Sequence, residues 1–133
     1  MPEPIAAPGL LVVDDEVMLL SLLRTFFTRQ GFQVWACASG EQATAVYRQH
    51  QRAIDVVLLD VRMPGLDGPQ TLAELRTINP TVRACFMTGH AGDYTAEQLH
   101  AMGALRLIDK PFQLAALADE LRRIIAGTTR RSA

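Results

Sequence analysis

Five polar side chains stand where apolar runs stop. Asp14 and Asp15 follow Leu10-Leu11-Val12-Val13, Asp60 closes Val56-Val57-Leu58-Leu59, Thr88 follows Val82 to Met87, and Lys110 comes just after Leu105 to Ile108. Carboxylates gathered in one place repel: a pair about 4 Å apart costs roughly 4 kcal/mol at an effective dielectric near 20, and a single lysine leaves the group net negative. A hard cation with oxygen ligands relieves that repulsion. Mg²⁺, held by one or two carboxylates plus waters and a phosphoryl oxygen, is the natural candidate. Beside it a carboxylate can attack phosphorus and become an aspartyl phosphate. Such a transfer needs mainly positioning and neutralisation of the equatorial oxygens. The Lys110 ammonium, the Thr88 hydroxyl and backbone amides after Asp60 and Thr88 can provide both, without a general base.

For these groups to meet, each must end a strand of one sheet. Val56 to Leu59, closed by Asp60 and followed by the breaker Met63-Pro64-Gly65, reads as a strand buried on both faces, as parallel strands between helix layers are. Leu10 to Val13 is the first strand. The helix after it runs to about Gln30 on a stripe of Leu19, Leu20, Leu23, Phe26 and Phe27, with Gly31 as its left-handed stop. Gln33 to Ala36 is a second strand. Ser39 then caps a helix, with Gln42 reaching back in a capping box, and Ala43, Val46 and Tyr47 face the sheet until the helix fades near His50. Asp67-Gly68-Pro69 opens a third helix with Leu72, Leu75 and Ile78 inward, and Asn79-Pro80 stops it. Val82 to Met87 is a fourth strand, and Thr88-Gly89-His90-Ala91-Gly92 a loop. A helix from about Asp93 to Met102 follows, stopped by Gly103; then come strand Leu105 to Ile108 and a last helix striped by Leu114, Leu117, Leu121, Ile124 and Ile125, ending at Gly127. Five strand–helix units in strict alternation predict an α/β fold: a doubly wound, five-stranded parallel sheet in the flavodoxin-like order 2-1-3-4-5. That order brings the carboxyl ends of strands one, three, four and five together.

The chain has 133 residues, 49% hydrophobic and 20% charged, which suits one soluble globular domain over residues 9–127 between a disordered N-terminal tail, 1–8, and a C-terminal tail, 128–133. A net charge of −1 leaves no nucleic-acid footprint, and Arg130-Arg131 reads as a solvated end. Cys37 and Cys85 show neither disulfide nor metal spacing, so both read as buried free thiols. No apolar run reaches membrane-spanning length, and Met1 to Pro8 lacks the regions of a signal peptide; a cytoplasmic protein without membrane contact is expected.

The ordered set Val-Val-Asp14-Asp15-Glu16, Leu-Leu-Asp60-Val-Arg-Met-Pro-Gly-Leu-Asp-Gly, Met-Thr88-Gly-His and Asp-Lys110-Pro-Phe resembles the CheY-like receiver domain of two-component response regulators, over roughly residues 9 to 126. The resemblance implies that Asp60 accepts a phosphoryl group from a histidine kinase or phosphotransfer protein. It implies Mg²⁺ bound by Asp15, Asp60 and the Arg62 carbonyl, with Asp14 in the metal set through water. It implies Thr88 and Lys110 on the phosphoryl group, and a cis peptide before Pro111. Such a module catalyses only its own phosphorylation and dephosphorylation, switches a surface for an effector or output domain, is compatible with a phosphorylation-dependent dimer, and binds no nucleic acid directly. Arg62 and His90 flank the mouth of the site, where each can affect the lifetime of the phosphate. Leu107 stands where many family members carry Tyr or Phe. Leucine can only repack, so a small change carried by the Gly89–Asp93 loop is expected on phosphorylation.

Other classes fit less well. A flavin module of the same topology needs a phosphate loop after its first strand, where Asp14-Asp15-Glu16 would repel the ligand. An aspartate-nucleophile phosphatase of the haloacid dehalogenase type expects Asp-x-Asp, and Asp60-Val61-Arg62 lacks the second acid. An unphosphorylated pseudo-receiver acting as an interaction module usually lacks an acid or the lysine, and this chain has them all.

Overall fold

The computed structural model describes residues 7–89 and 94–132, with side chains of the last helix described through residue 127. Expectations for residues 1–6 of the N-terminal tail, for His90 to Asp93, and for the side chains beyond 127 therefore lie outside the described residues.

The elements alternate strictly: β1 (Gly9–Val13), α1 (Val17–Arg29), β2 (Gln33–Cys37), α2 (Gly40–His50), β3 (Val56–Asp60), α3 (Gly68–Ile78), β4 (Ala84–Thr88), α4 (Ala96–Ala101), β5 (Arg106–Asp109) and α5 (Leu114–Ser132). The strands form one parallel sheet in the order β2-β1-β3-β4-β5, as expected. Alternate side chains feed two cores, because successive strand residues point to opposite faces. Leu11, Val13, Val57, Leu59 and Phe86 pack with Tyr47, Leu72, Leu75 and Leu99 on the side of α2, α3 and α4. Leu10, Val12, Val56, Leu58, Cys85 and Met87 pack with Leu23, Phe27, Leu117 and Leu121 on the side of α1 and α5. β1 and β3 are buried along their whole length, which explains their unbroken apolar runs. Each fully buried leucine or phenylalanine contributes roughly 1.5–3 kcal/mol, so this two-sided core fixes where the strand ends lie.

Several boundaries shift for local reasons. Gly31 takes φ 90° and ends α1 as expected. Gln42 reaches back, but its side chain accepts from the backbone N–H of Ala38 rather than that of Ser39, while Ser39 Oγ accepts from Gln42 N. β4 starts at Ala84, since Val82 N–H still donates to Asn79 O in the turn after α3. β5 is displaced to Arg106–Asp109, leaving Leu105 at its exposed entrance. α4 begins at Ala96 because Thr95 and Gln98 form a reciprocal capping box that holds Thr95 extended. α5 does not stop at Gly127 but continues to Ser132. Gly127 is not among the positive-φ glycines, and a glycine within a helix costs only about 1 kcal/mol relative to alanine. Ile124 and Ile125, packed on the α1–α5 core, hold the preceding turn in place.

Candidate functional site

The strand register sets the site. Val13 pairs with Leu59, Asp60 with Met87, and Thr88 with Asp109, so the four inner and outer strands end almost level. One residue past β1, Asp14 N–H still donates to Cys37 O (3.1 Å), which keeps its side chain over the sheet's edge rather than in solvent. Val61 N–H donates to Met87 O (3.1 Å) and Lys110 N–H to Thr88 O (2.9 Å), extending the ladder beyond β3 and β5.

Asp14 is fully buried, and both of its oxygens are used. Oδ1 accepts from Glu16 N (2.8 Å), turning the chain into α1, and Oδ2 accepts from Lys110 Nζ (2.9 Å). Lys110 Nζ also lies 3.4 Å from Asp60 Oδ1, so one ammonium bridges two carboxylates. The Lys110–Pro111 peptide is cis, as the resemblance implies. Asp60 is only 8% exposed. Burial first, and then the charges of Asp14 and Asp15, outweigh the Lys110 ammonium and its hydrogen bond, so the Asp60 carboxyl is pushed up to about 6. Burial pulls the Lys110 ammonium down, but its hydrogen bond to Asp14 and the charges of Asp60 and Asp14 win and raise it. Gly68 closes the floor: a Cβ there would lie 2.5 Å from the Asp60 carbonyl oxygen, so only glycine lets α3 start against the end of β3.

One oxygen each of Asp14, Asp15 and Asp60 lies within 4.8 Å of the others, with Asp15 the exposed member. Against three carboxylates stands one ammonium, and an all-oxygen donor set with excess negative charge fits a hard divalent cation. The structure thus brings together Asp14, Asp15, Asp60 and Lys110, and places Thr88, half-buried, at the neighbouring strand end. Arg62 stands exposed in the turn after β3 and, among the described residues, its side chain makes no ion pair. His90 lies outside the described residues. Two side chains near the site were not singled out from sequence: Glu41, which accepts from Leu66 N (3.1 Å), and Tyr94, whose hydroxyl donates to Asp67 Oδ2 (2.7 Å). Only tertiary packing joins these pairs, so no local pattern marks them.

A doubly wound sheet carrying an acidic cluster and a lysine at its carboxyl edge defines a class of phosphoryl-accepting signalling modules. Residues 10–122 match the family described as response regulator receiver domain, and the chain belongs to that family. It is 33% identical over 120 residues to the sensor kinase CckA of Brucella abortus (strain 2308), covering 90% of this chain and 13% of that protein. It is 29% identical over 116 residues to sporulation initiation phosphotransferase F of Bacillus subtilis (strain 168), covering 87% and 92%. The receiver domain of the sensor histidine kinase PA1611 from Pseudomonas aeruginosa PAO1, solved with a magnesium ion coordinated in its active site cleft, superposes with a TM-score of 0.80 at 27% identity, covering 91% of this chain and 99% of that one. The chain is a receiver domain of the kind found in two-component response regulators.

Proposed function

We propose that Asp60 is the phospho-acceptor, that Asp15, Asp60 and the Arg62 carbonyl hold Mg²⁺ with Asp14 joining through water, and that Thr88 and Lys110 contact the phosphoryl group. The observation that carries this reading is the Lys110 ammonium bridging buried Asp14 and Asp60 at 2.9 and 3.4 Å. An Asp60 carboxylate oxygen attacks phosphorus; the bond to the donor nitrogen of a phosphohistidine breaks, a P–O bond to Asp60 forms, and the imidazole leaves with the electron pair. Lys110, already aimed at Asp60, moves onto a phosphoryl oxygen, and the Thr88 hydroxyl donates to another. Held by Asp14, Asp15 and Asp60, Mg²⁺ would supply the charge neutralisation that an anionic donor needs in order to approach the carboxylates. Hydrolysis of the acyl phosphate resets the domain, so the protein catalyses only its own phosphorylation and dephosphorylation.

The donor is a histidine kinase or phosphotransfer protein. A cavity of about 480 Å³ opens against Lys110, lined by Glu16, Leu19, Leu22, Pro111, Phe112 and Leu114, and Val17 and Met18 of α1 stand 70% and 85% exposed. Apolar surface beside the phosphoryl site suits a docked protein. A cytoplasmic location is supported by the free, buried thiols of Cys37 and Cys85, and among the described residues no helix is long and apolar enough to cross a membrane. Treatment with acetyl phosphate and Mg²⁺ is expected to add a single phosphate to the intact mass. Modification surviving in Asp60→Asn, or undiminished after Mg²⁺ removal, refutes the assignment.

A further inference from the structure

The segment joining β3 to α3 is held at its far end by two side chains from outside it. From the first turn of α2, Glu41 Oε1 accepts from Leu66 N (3.1 Å). From the connection between β4 and α4, Tyr94 donates its hydroxyl to Asp67 Oδ2 (2.7 Å). The Asp67 carboxylate is shared, because its Oδ1 accepts from Gln70 N (2.9 Å) and caps α3. At the near end Val61 N–H is tied to Met87 O, and Gly68 N–H returns to Val61 O (2.9 Å). The last bond closes the segment into a ring with Arg62 inside it. A displacement at Leu66 or Asp67 is therefore transmitted to the backbone just after Asp60.

We infer that Glu41 and Tyr94 are positioning residues for phosphoryl transfer, clamping the β3–α3 loop from α2 and from the β4–α4 connection so that the Arg62 carbonyl and Asp60 keep a fixed spacing. This rests on the reading of Asp60 as phospho-acceptor with the Arg62 carbonyl on Mg²⁺. The two clamps differ in kind. Glu41 places a carboxylate on a backbone amide, and Tyr94 a phenol on a carboxylate; both are charge-assisted hydrogen bonds, stronger than neutral ones. The Tyr94 ring is half-buried against the α2–α3–α4 core, so its hydroxyl is held in place by packing. Leu107, packed on the same core, has no polar tip with which to make such a bond.

The test uses three variants of the whole chain. Tyr94→Phe removes only the hydroxyl, Glu41→Ala removes the acceptor, and Glu41→Gln keeps an acceptor oxygen at the same reach. For each, the Mg²⁺ dissociation constant is measured by calorimetry, the phosphorylation rate with acetyl phosphate, and the urea unfolding midpoint. Tyr94→Phe and Glu41→Ala are each expected to weaken Mg²⁺ binding about three- to tenfold, the loss of one hydrogen bond's worth of ordering. Phosphorylation should slow in proportion at limiting Mg²⁺, and Glu41→Gln should restore most of both. Unchanged Mg²⁺ affinity and rate in Tyr94→Phe and Glu41→Ala overturns the clamp, as does a lowered midpoint with affinity intact. An unmodified parent chain, or a modified Asp60→Asn, strikes the phospho-acceptor reading itself and is distinguishable from either result.

Discussion

Replacing Asp60 by asparagine removes a charge from a place that disfavours it, and the metal-free protein should become more stable as a result. Asp60 is 8% exposed, faces Asp14, and has its carboxyl pushed up from the ordinary 3.8 to about 6. A group whose folded pKa is raised contributes stability that is full below its unfolded value and is lost as pH rises through the folded one. For Asp60 that window runs from about pH 4 to about pH 6, and above it the ionised carboxylate opposes folding by about 3 kcal/mol. Asparagine avoids the charge but loses the 3.4 Å contact with Lys110 and must find a partner for its amide, a cost of about 1 kcal/mol. The net expectation is that Asp60→Asn in EDTA stabilises the fold by about 1–2 kcal/mol near pH 7.5. The gain should shrink toward zero, or reverse, near pH 4. Added Mg²⁺ should stabilise the parent more than the variant and narrow the gap. Urea titrations at the two pH values, with and without Mg²⁺, measure each quantity. A variant less stable than the parent at pH 7.5, or a difference that ignores pH, would refute the reasoning.

Lys110→Ala leaves fully buried Asp14 and recessed Asp60 without their cation, and should cost the metal-free protein about 3 kcal/mol in urea titration, part of it recovered on adding Mg²⁺. Gly68→Ala drives a methyl to 2.5 Å from the Asp60 carbonyl oxygen; a loss of about 1–3 kcal/mol by denaturation, together with slower phosphorylation, is expected, and unchanged stability would rule out that contact. Arg62→Ala, at an exposed position with no ion pair among the described residues, should leave stability within about 0.5 kcal/mol while altering the decay of phosphorylated protein followed by intact mass.

Asp60, Lys110 and the Asp14–Asp15 pair were legible because each follows an apolar run that a doubly wound sheet must bury, and strand ends in such a sheet converge. The parallel sheet followed from the same alternation, and its order from that of flavodoxin-like doubly wound folds. Boundaries were less legible where a side chain competes with the backbone: Thr95 and Gln98 cap each other and delay α4, which no hydrophobic period reveals. Gly127 looked like a stop because glycine often ends helices, yet its φ is not positive and α5 runs through it to Ser132. Glu41 and Tyr94 were invisible for a different reason. Their partners, Leu66 and Asp67, are brought close only by the finished sheet, and a glutamate in a first helical turn or a tyrosine in a loop has a commonplace local explanation.

The Lys110–Asp14 contact joins residues 96 positions apart, and the strand that delivers the lysine is the last of the sheet. A polypeptide emerging from the ribosome can pair β1, β2 and β3 and bring Asp14 beside Asp60 well before β5 exists. Until then the two carboxylates confront each other with no ammonium between them. A chain cut before β5 would keep Asp14 and Asp60 but lack the ammonium that bridges them. Wiring the last strand to the first ties the balance of charge around Asp60 to completion of the sheet.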